Sequence, residues 1–214
     1  MSSNLKISAA LVAVFAVALA VFGVVRAQGG DDGLPAANAA VVREDSHRLS
    51  SAADGRVTLV EFLDFECEGC LAAYPFVEEL RQTYEGRITF VARYFPMPGH
   101  ANAENAAVAV EAAAQQDRFE DMYDRMYETQ GQWGEKQDSQ AAVFRGFAEE
   151  LGLDMADFDA TVAAPETLER VLRDREDGIA LGVEGTPTFF LNGEKLSVTT
   201  TDEFIEALDA ALAG

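Results

Sequence analysis

The chain has 214 residues, with 16 Lys and Arg against 37 Asp and Glu, a formal net charge of −21. Clustered Lys and Arg are what bind a phosphate backbone, so no nucleic-acid partner is expected, and 49% apolar content excludes disorder throughout. Cys67 and Cys70 are the only two cysteines, which excludes a disulfide-stapled scaffold and a four-cysteine zinc site. Residues 1–51 carry four basic and four acidic side chains, so the whole acidic excess lies beyond Ala52. That remainder is long enough for one domain with its own core.

From Ile7 to Val25 nineteen residues pass without a charge. As a helix this run nearly spans the roughly 30 Å hydrocarbon layer, which favours an uncleaved anchor over a signal peptide, whose apolar part is typically about 7 to 15 residues. The small residues of Val25-Arg26-Ala27 leave cleavage after Ala27 open. Residues 1–27 are therefore read as a membrane anchor or signal, and either reading exports the domain. Residues 28–53, with Gly29-Gly30, Asp31-Asp32-Gly33 and Pro35, read as a flexible linker. The domain is expected over residues 54–214.

Arg56 to Phe65 reads as a strand buried on both faces, with Glu61 its one misfit. After Cys67 the apolar positions Leu71, Tyr74, Val77, Leu80 and Tyr84 recur at helical spacing, so the cysteines open a helix that ends near Gly86. Arg87 to Phe95 is a second strand, stopped by Pro96 and Pro98-Gly99. Four helical segments follow within an insertion over about residues 100–182: Ala103 to Gln116, one through Phe119 to Tyr127, one through Val143 to Leu151, and one after Pro165. Thr188 to Leu191 and Lys195 to Val198, joined at Asn192-Gly193, form a hairpin by turn chemistry. Thr200 and Glu203 make a capping box for the last helix.

The chemistry lies in Cys67-Glu68-Gly69-Cys70. Two intervening residues at a helix start let the sulfurs meet as a disulfide and set the first on free backbone N–H groups and the positive end of the dipole. A thiolate is stabilised there, which makes Cys67 the better attacking and leaving group, with Cys70 as the resolving thiol. The alternatives are a chance pair or half of a metal site; the latter needs His47 and His100 from distant segments, and no metal is expected.

The run Leu59-Val60-Glu61-Phe62, the motif Cys67-Glu68-Gly69-Cys70 and Pro75 resemble the thioredoxin superfamily, and Gly185-Thr186-Pro187-Thr188 is similar to its cis-proline loop. The long insertion, Phe62, Phe65 and the export segment resemble its DsbA-like branch of extracytoplasmic thiol oxidoreductases. The resemblance covers about residues 54–214 and implies an α/β thioredoxin-like fold with a central mixed sheet. It implies that Thr186, before Pro187, binds an extended substrate strand through its backbone. Glu61, a carboxylate in so apolar a run, should be desolvated, raised in pKa, and able to exchange a proton with Cys70.

The implied function is a thiol:disulfide oxidoreductase acting on exported Cys-containing proteins, as a dithiol oxidase, with no cofactor beyond the redox-active disulfide. The implied acceptor is a membrane reoxidase of DsbB or vitamin-K-epoxide-reductase-like type. A reductase or isomerase of the same fold, or a non-catalytic chaperone using the Pro187 groove, are the alternatives. Glu68-Gly69 replaces the Pro and His of the best-known DsbA pattern, and Glu66 and Glu68 flank Cys67 with negative charge, so a weaker oxidant is expected. The implied location is the cell membrane, single-pass with the domain outside the cytoplasm, or secreted or periplasmic after cleavage. His100 reads as a surface loop residue, and Trp133, Tyr123, Met126 and Tyr127 as core.

Overall fold

A computed structural model describes residues 39–214; the apolar run Ile7–Val25 and residues 28–38 of the expected linker lie outside the described residues. Among the described residues no helix is long and apolar enough to cross a membrane. Five strands form one mixed sheet in the order β1-β3-β2-β4-β5. The apolar runs on either side of the cysteines become its parallel centre, β2 (Thr58–Leu63) and β3 (Thr89–Tyr94). β1 (His47–Ser50) pairs antiparallel outside β3, and β4 (Thr188–Leu191) pairs antiparallel on the other side of β2. β5 (Glu194–Lys195) forms the far edge, shorter than the expected run to Val198. Asn192 and Gly193 both take positive φ, as a tight hairpin with the sheet's twist requires.

Helix α1 (Glu68–Thr83) follows β2. Between β3 and β4 come α2 (Ala103–Ala114), α3 (Phe119–Trp133), α4 (Ala141–Glu150), α5 (Met155–Ala163) and α6 (Pro165–Ala180), and α7 (Thr201–Ala213) ends the chain. The insertion thus has one helix more than the four expected. α5 buries only Phe158, too little for a visible apolar period, although Asp154 caps it by accepting from the Ala156 and Asp157 N–H groups.

Period-two alternation divides the core. Leu59, Leu63, Phe90, Ala92 and Tyr94 face one side with Val77 and Leu80 of α1 and Phe204 and Leu208 of α7. Val60, Phe62 and Val91 face the other with Phe95, Val183 and Phe190. Glu61 shares the first face, on the side of α1. On the second, α6 lies so close that a Cβ at Gly178 would come within 2.7 Å of Phe95, which is why that helix carries a glycine there.

Residues 39–53 correct the linker reading, because they belong to the domain. β1 adds an edge to the sheet, and the segment before it is held by Val41 and Val42 against the second core face and by buried ionic contacts. Arg93, fully buried on β3, donates to the Ala40 and Val41 carbonyls at 2.8 Å each and pairs with Asp174 at 2.8 Å and Asp177 at 2.6 Å. Arg43 meets the same Asp177 at 2.5 Å, and Arg170 joins Asp45 at 3.1 Å to Asp174 at 2.7 Å. His47 bonds Glu111 at 2.7 Å and stacks on Phe119 at 4.1 Å. Arg93→Ala strips one side from this buried network and should lower the unfolding free energy by about 3–5 kcal/mol, read by urea denaturation.

Candidate active site

Cys67 is the N-cap residue of α1, with φ −72° and ψ 123°, and its carbonyl accepts the helix's first bond, from Leu71 N at 3.1 Å. Its side chain is half-buried, whereas Cys70, one turn on, is buried; both stand as free thiols. The Cys67 thiol donates to the Thr186 carbonyl at 3.3 Å, and the Thr186-Pro187 peptide beside it is cis. Gly69 is where the motif approaches that loop: a Cβ there would lie 3.3 Å from Pro187 Cδ, 3.4 Å from Thr186 O and 3.5 Å from Cys67 Sγ. A Cβ in that place would press on the Pro187 ring and meet Thr186 O and Cys67 Sγ at contact distance, while Glu68 is exposed. Cys67, Cys70, Gly69, Thr186 and Pro187 are therefore brought together.

The two sulfurs are driven apart in acidity. A hydrogen bond from Cys70, then the Cys70 and Gly69 N–H groups, pull the Cys67 pKa down to about 5 against the cost of burial. Burial first, then the bond to Cys67 and the charge of Glu61, push the Cys70 thiol up. Glu61 is 6% exposed and has no hydrogen-bond partner among the described residues. Burial raises it to about 8, with smaller contributions from Glu78 and Cys67.

The structure gives Glu66 and His100 partners the sequence did not show, and adds Asp64 and Gln130. Glu66 turns inward and accepts from Asn102 N at 2.6 Å and Glu135 N at 3.1 Å, so its charge is met by two backbone donors instead of facing Cys67 bare. Asp64, buried, accepts from Glu66 N at 2.8 Å, Met97 N at 2.9 Å and His100 Nδ1 at 2.6 Å. His100 is thus anchored and not a free loop residue; burial lowers its pKa, but Asp64 outweighs that and leaves it raised. Gln130 of α3 reaches the backbone of the motif itself, donating to Phe65 O and Cys67 O. Nothing local in the sequence marks Gln130. Among the described residues no group of three or more metal-ligating side chains is clustered.

A family model described as Thioredoxin matches residues 48–210. Among solved structures the chain is similar to a thioredoxin-like oxidoreductase from Silicibacter pomeroyi DSS-3, with a TM-score of 0.67 and 23% identity over 87% of this chain and 99% of that one. It is similar also to Wolbachia pipientis alpha-DsbA1, at 0.68 and 16% over 80% and 93%, and to oxidised BdbD from Bacillus subtilis, at 0.67 and 20% over 77% and 92%. At those identities the likeness is one of fold. Curated relatives include the Na(+)/H(+) antiporter NhaA of Herminiimonas arsenicoxydans, 36% identical over 67% of this chain and 22% of that protein. NhaA 1 of Salinispora arenicola (strain CNS-205) is 35% identical over 80% and 25%. The chain spans a quarter or less of these relatives, and the antiporter name is that of the whole proteins.

Titrating the reduced protein by thiolate absorbance near 240 nm should show one thiolate with a midpoint of about 5, lost in Cys67→Ser. Because this pKa is depressed, the stability it gives the reduced protein is full above the unfolded thiol's pKa and fades as pH falls through about 5. Glu61 has the opposite sign: its folded pKa is raised, so at pH 7 the buried carboxyl destabilises the fold. Glu61→Leu should gain on the order of 2–3 kcal/mol at pH 7, an advantage that disappears below about pH 4, where the unfolded carboxyl is protonated too. Urea unfolding at the two pH values measures it.

Proposed function

The chain belongs to the thioredoxin family, and from that premise we propose that it is a thiol:disulfide oxidoreductase that exchanges a Cys67–Cys70 disulfide with exported protein substrates, chiefly as a dithiol oxidase. One observation carries the reading: an accessible thiol of lowered pKa at a helix N-terminus, 3.3 Å from the carbonyl that precedes a cis-proline, with its partner thiol buried behind it. Neither a chance pair nor a packing role calls for that division between two cysteines.

In the oxidising direction a client thiolate attacks Cys67 Sγ and the Cys67–Cys70 bond breaks. Cys70 leaves as a thiolate and takes a proton from neutral Glu61, whose pKa of about 8 suits the task. A second client thiolate then attacks the client sulfur of the mixed disulfide and Cys67 departs as a stabilised thiolate, so two electrons pass to the pair. The Thr186 carbonyl can only accept a hydrogen bond. When Cys67 ionises it loses the thiol as donor and becomes free for a client N–H, the strand-addition mode of peptide binding.

A thiolate midpoint of about 5 lies between those of DsbA, about 3.5, and thioredoxin, about 7, and supports an oxidant weaker than DsbA. The uncharged run Ile7–Val25 supports placing the domain beyond a membrane. Reoxidation there calls for a membrane electron acceptor, of DsbB or vitamin-K-epoxide-reductase-like type. No antiport activity is carried over, since the matched portion is under a quarter to a quarter of those proteins.

Glutathione equilibrium should place the potential below the DsbA value of about −120 mV and above the thioredoxin value of about −270 mV. Oxidative refolding of a reduced client should vanish in Cys67→Ser, and Cys70→Ala should accumulate client mixed disulfides on Cys67. A potential at or below that of thioredoxin would make the protein a reductase. Refolding help that survives loss of both cysteines would make it a chaperone.

A further inference from the structure

The exchange steps above use groups from the sheet, α1 and the cis-proline loop, yet the backbone of the nucleophile is held from the helical insertion. Gln130, 3% exposed on α3, donates from its one amide nitrogen to two carbonyls, Phe65 O at 2.7 Å and Cys67 O at 3.0 Å. These residues bracket the turn into the motif. The Phe65 carbonyl has no backbone donor among the described residues, and the Cys67 carbonyl is the one that receives the first helical bond. One turn earlier on the same helix, the Tyr127 ring packs on Phe65 at 5.3 Å and on Tyr74 of α1 at 5.1 Å, which fixes this face of α3 against the motif.

Two consequences follow for the sulfur. Carbonyl oxygens are the negative ends of peptide dipoles, and an amide NH₂ directed at both offsets them next to a group that must carry negative charge. Holding Cys67 O also fixes the peptide plane at the start of α1, and with it the direction in which the following Gly69 and Cys70 N–H groups meet the sulfur. Resting on the exchange function proposed above, we infer that Gln130 is a positioning residue for Cys67: it locks the Phe65 and Cys67 carbonyls so that the helix N-terminus stabilises the thiolate, and so raises the oxidising power of the pair.

Gln130→Met keeps length and apolar stem but removes both donors. In the full chain it should lower the glutathione equilibrium constant about tenfold, which corresponds to about 30 mV, and move the Cys67 midpoint upward in the absorbance titration. Gln130→Glu offers a partial rescue. Buried against two carbonyls, its carboxyl stays protonated in acid and donates one bond, so its equilibrium constant should approach wild type at low pH and fall away as pH rises. A role in packing alone would lower the melting temperature of both variants and leave potential, midpoint and pH profile at wild-type values, and that result overturns the inference. Should Gln130→Met not fold, the pH profile of Gln130→Glu decides by the same criterion. A wild-type chain whose cysteines do not exchange with glutathione would sink the exchange function itself, whatever the variants do.

Discussion

The structure turns on how a sulfur anion is stabilised in a protein with so large an acidic excess. Among the described residues no Lys or Arg acts on the Cys67 thiol, and its flanking residues are Glu66 and Glu68. The stabilisation instead comes from the partner thiol and the N–H groups of α1, the latter fixed dipoles that need not reorganise when charge appears. Such an arrangement demands exact backbone placement, since a hydrogen bond weakens steeply with angle. The surroundings supply it: Asp64 and Glu66 are spent on backbone N–H groups of the turn and of the β3–α2 segment, and Gln130 on the carbonyls. The side chains around the motif therefore act mostly on main-chain groups of the turn before it and of the segments packed against that turn.

Buried charge divides into two kinds here. Arg93, Asp174, Asp177 and Arg170 form ion pairs with one another and, with Arg43 and the Ala40 and Val41 carbonyls, tie residues 40–45 to α6, so their desolvation is offset in part within the network. Glu61 has no such compensation. Among the described residues its carboxyl has no hydrogen bond, its charge acts on Cys70, and the cost of burial appears as a pKa of about 8. An uncompensated buried carboxyl of this kind is what the proposed proton exchange with Cys70 calls for, and the contrast sets Glu61 apart from the acids of the ionic network.

Local pattern carried the parts of the fold whose cause is local. The two central strands, the helix opened by the cysteines and the Asn192-Gly193 turn follow from runs, spacing or turn chemistry within a few residues, while the cis-Pro187 loop was legible through its resemblance to the superfamily's loop. What pattern did not carry rests on pairs far apart in sequence. β1 was hidden in a polar stretch because its anchors include ionic pairs, with Arg43 reaching Asp177 across 134 positions. Gln130 meets Phe65 across 65 positions and is one Gln among the polar residues of an amphipathic helix until the fold closes. Glu66 looked like an adverse charge because its partners, Asn102 N and Glu135 N, are brought by segments 36 and 69 residues away.

These long-range bonds also define what the insertion does. Asn102, through its own N–H and through its side-chain bonds to Lys136 O and Gln140 N, couples the start of α2 to the loop after α3, and Glu66 binds that junction to the residue next to the nucleophile. Tyr74 adds a bond from α1 to Asp124 of α3 at 3.0 Å. The helices and the sheet consequently share the active-site turn as a common joint instead of meeting across a separable interface. A displacement of α3 relative to the sheet would have to break bonds to Cys67 O, Phe65 O and Glu66 at once, and each is a bond on which the geometry around the sulfur depends. The electronic state of the thiol and the packing of the insertion are then two readings of one structural variable.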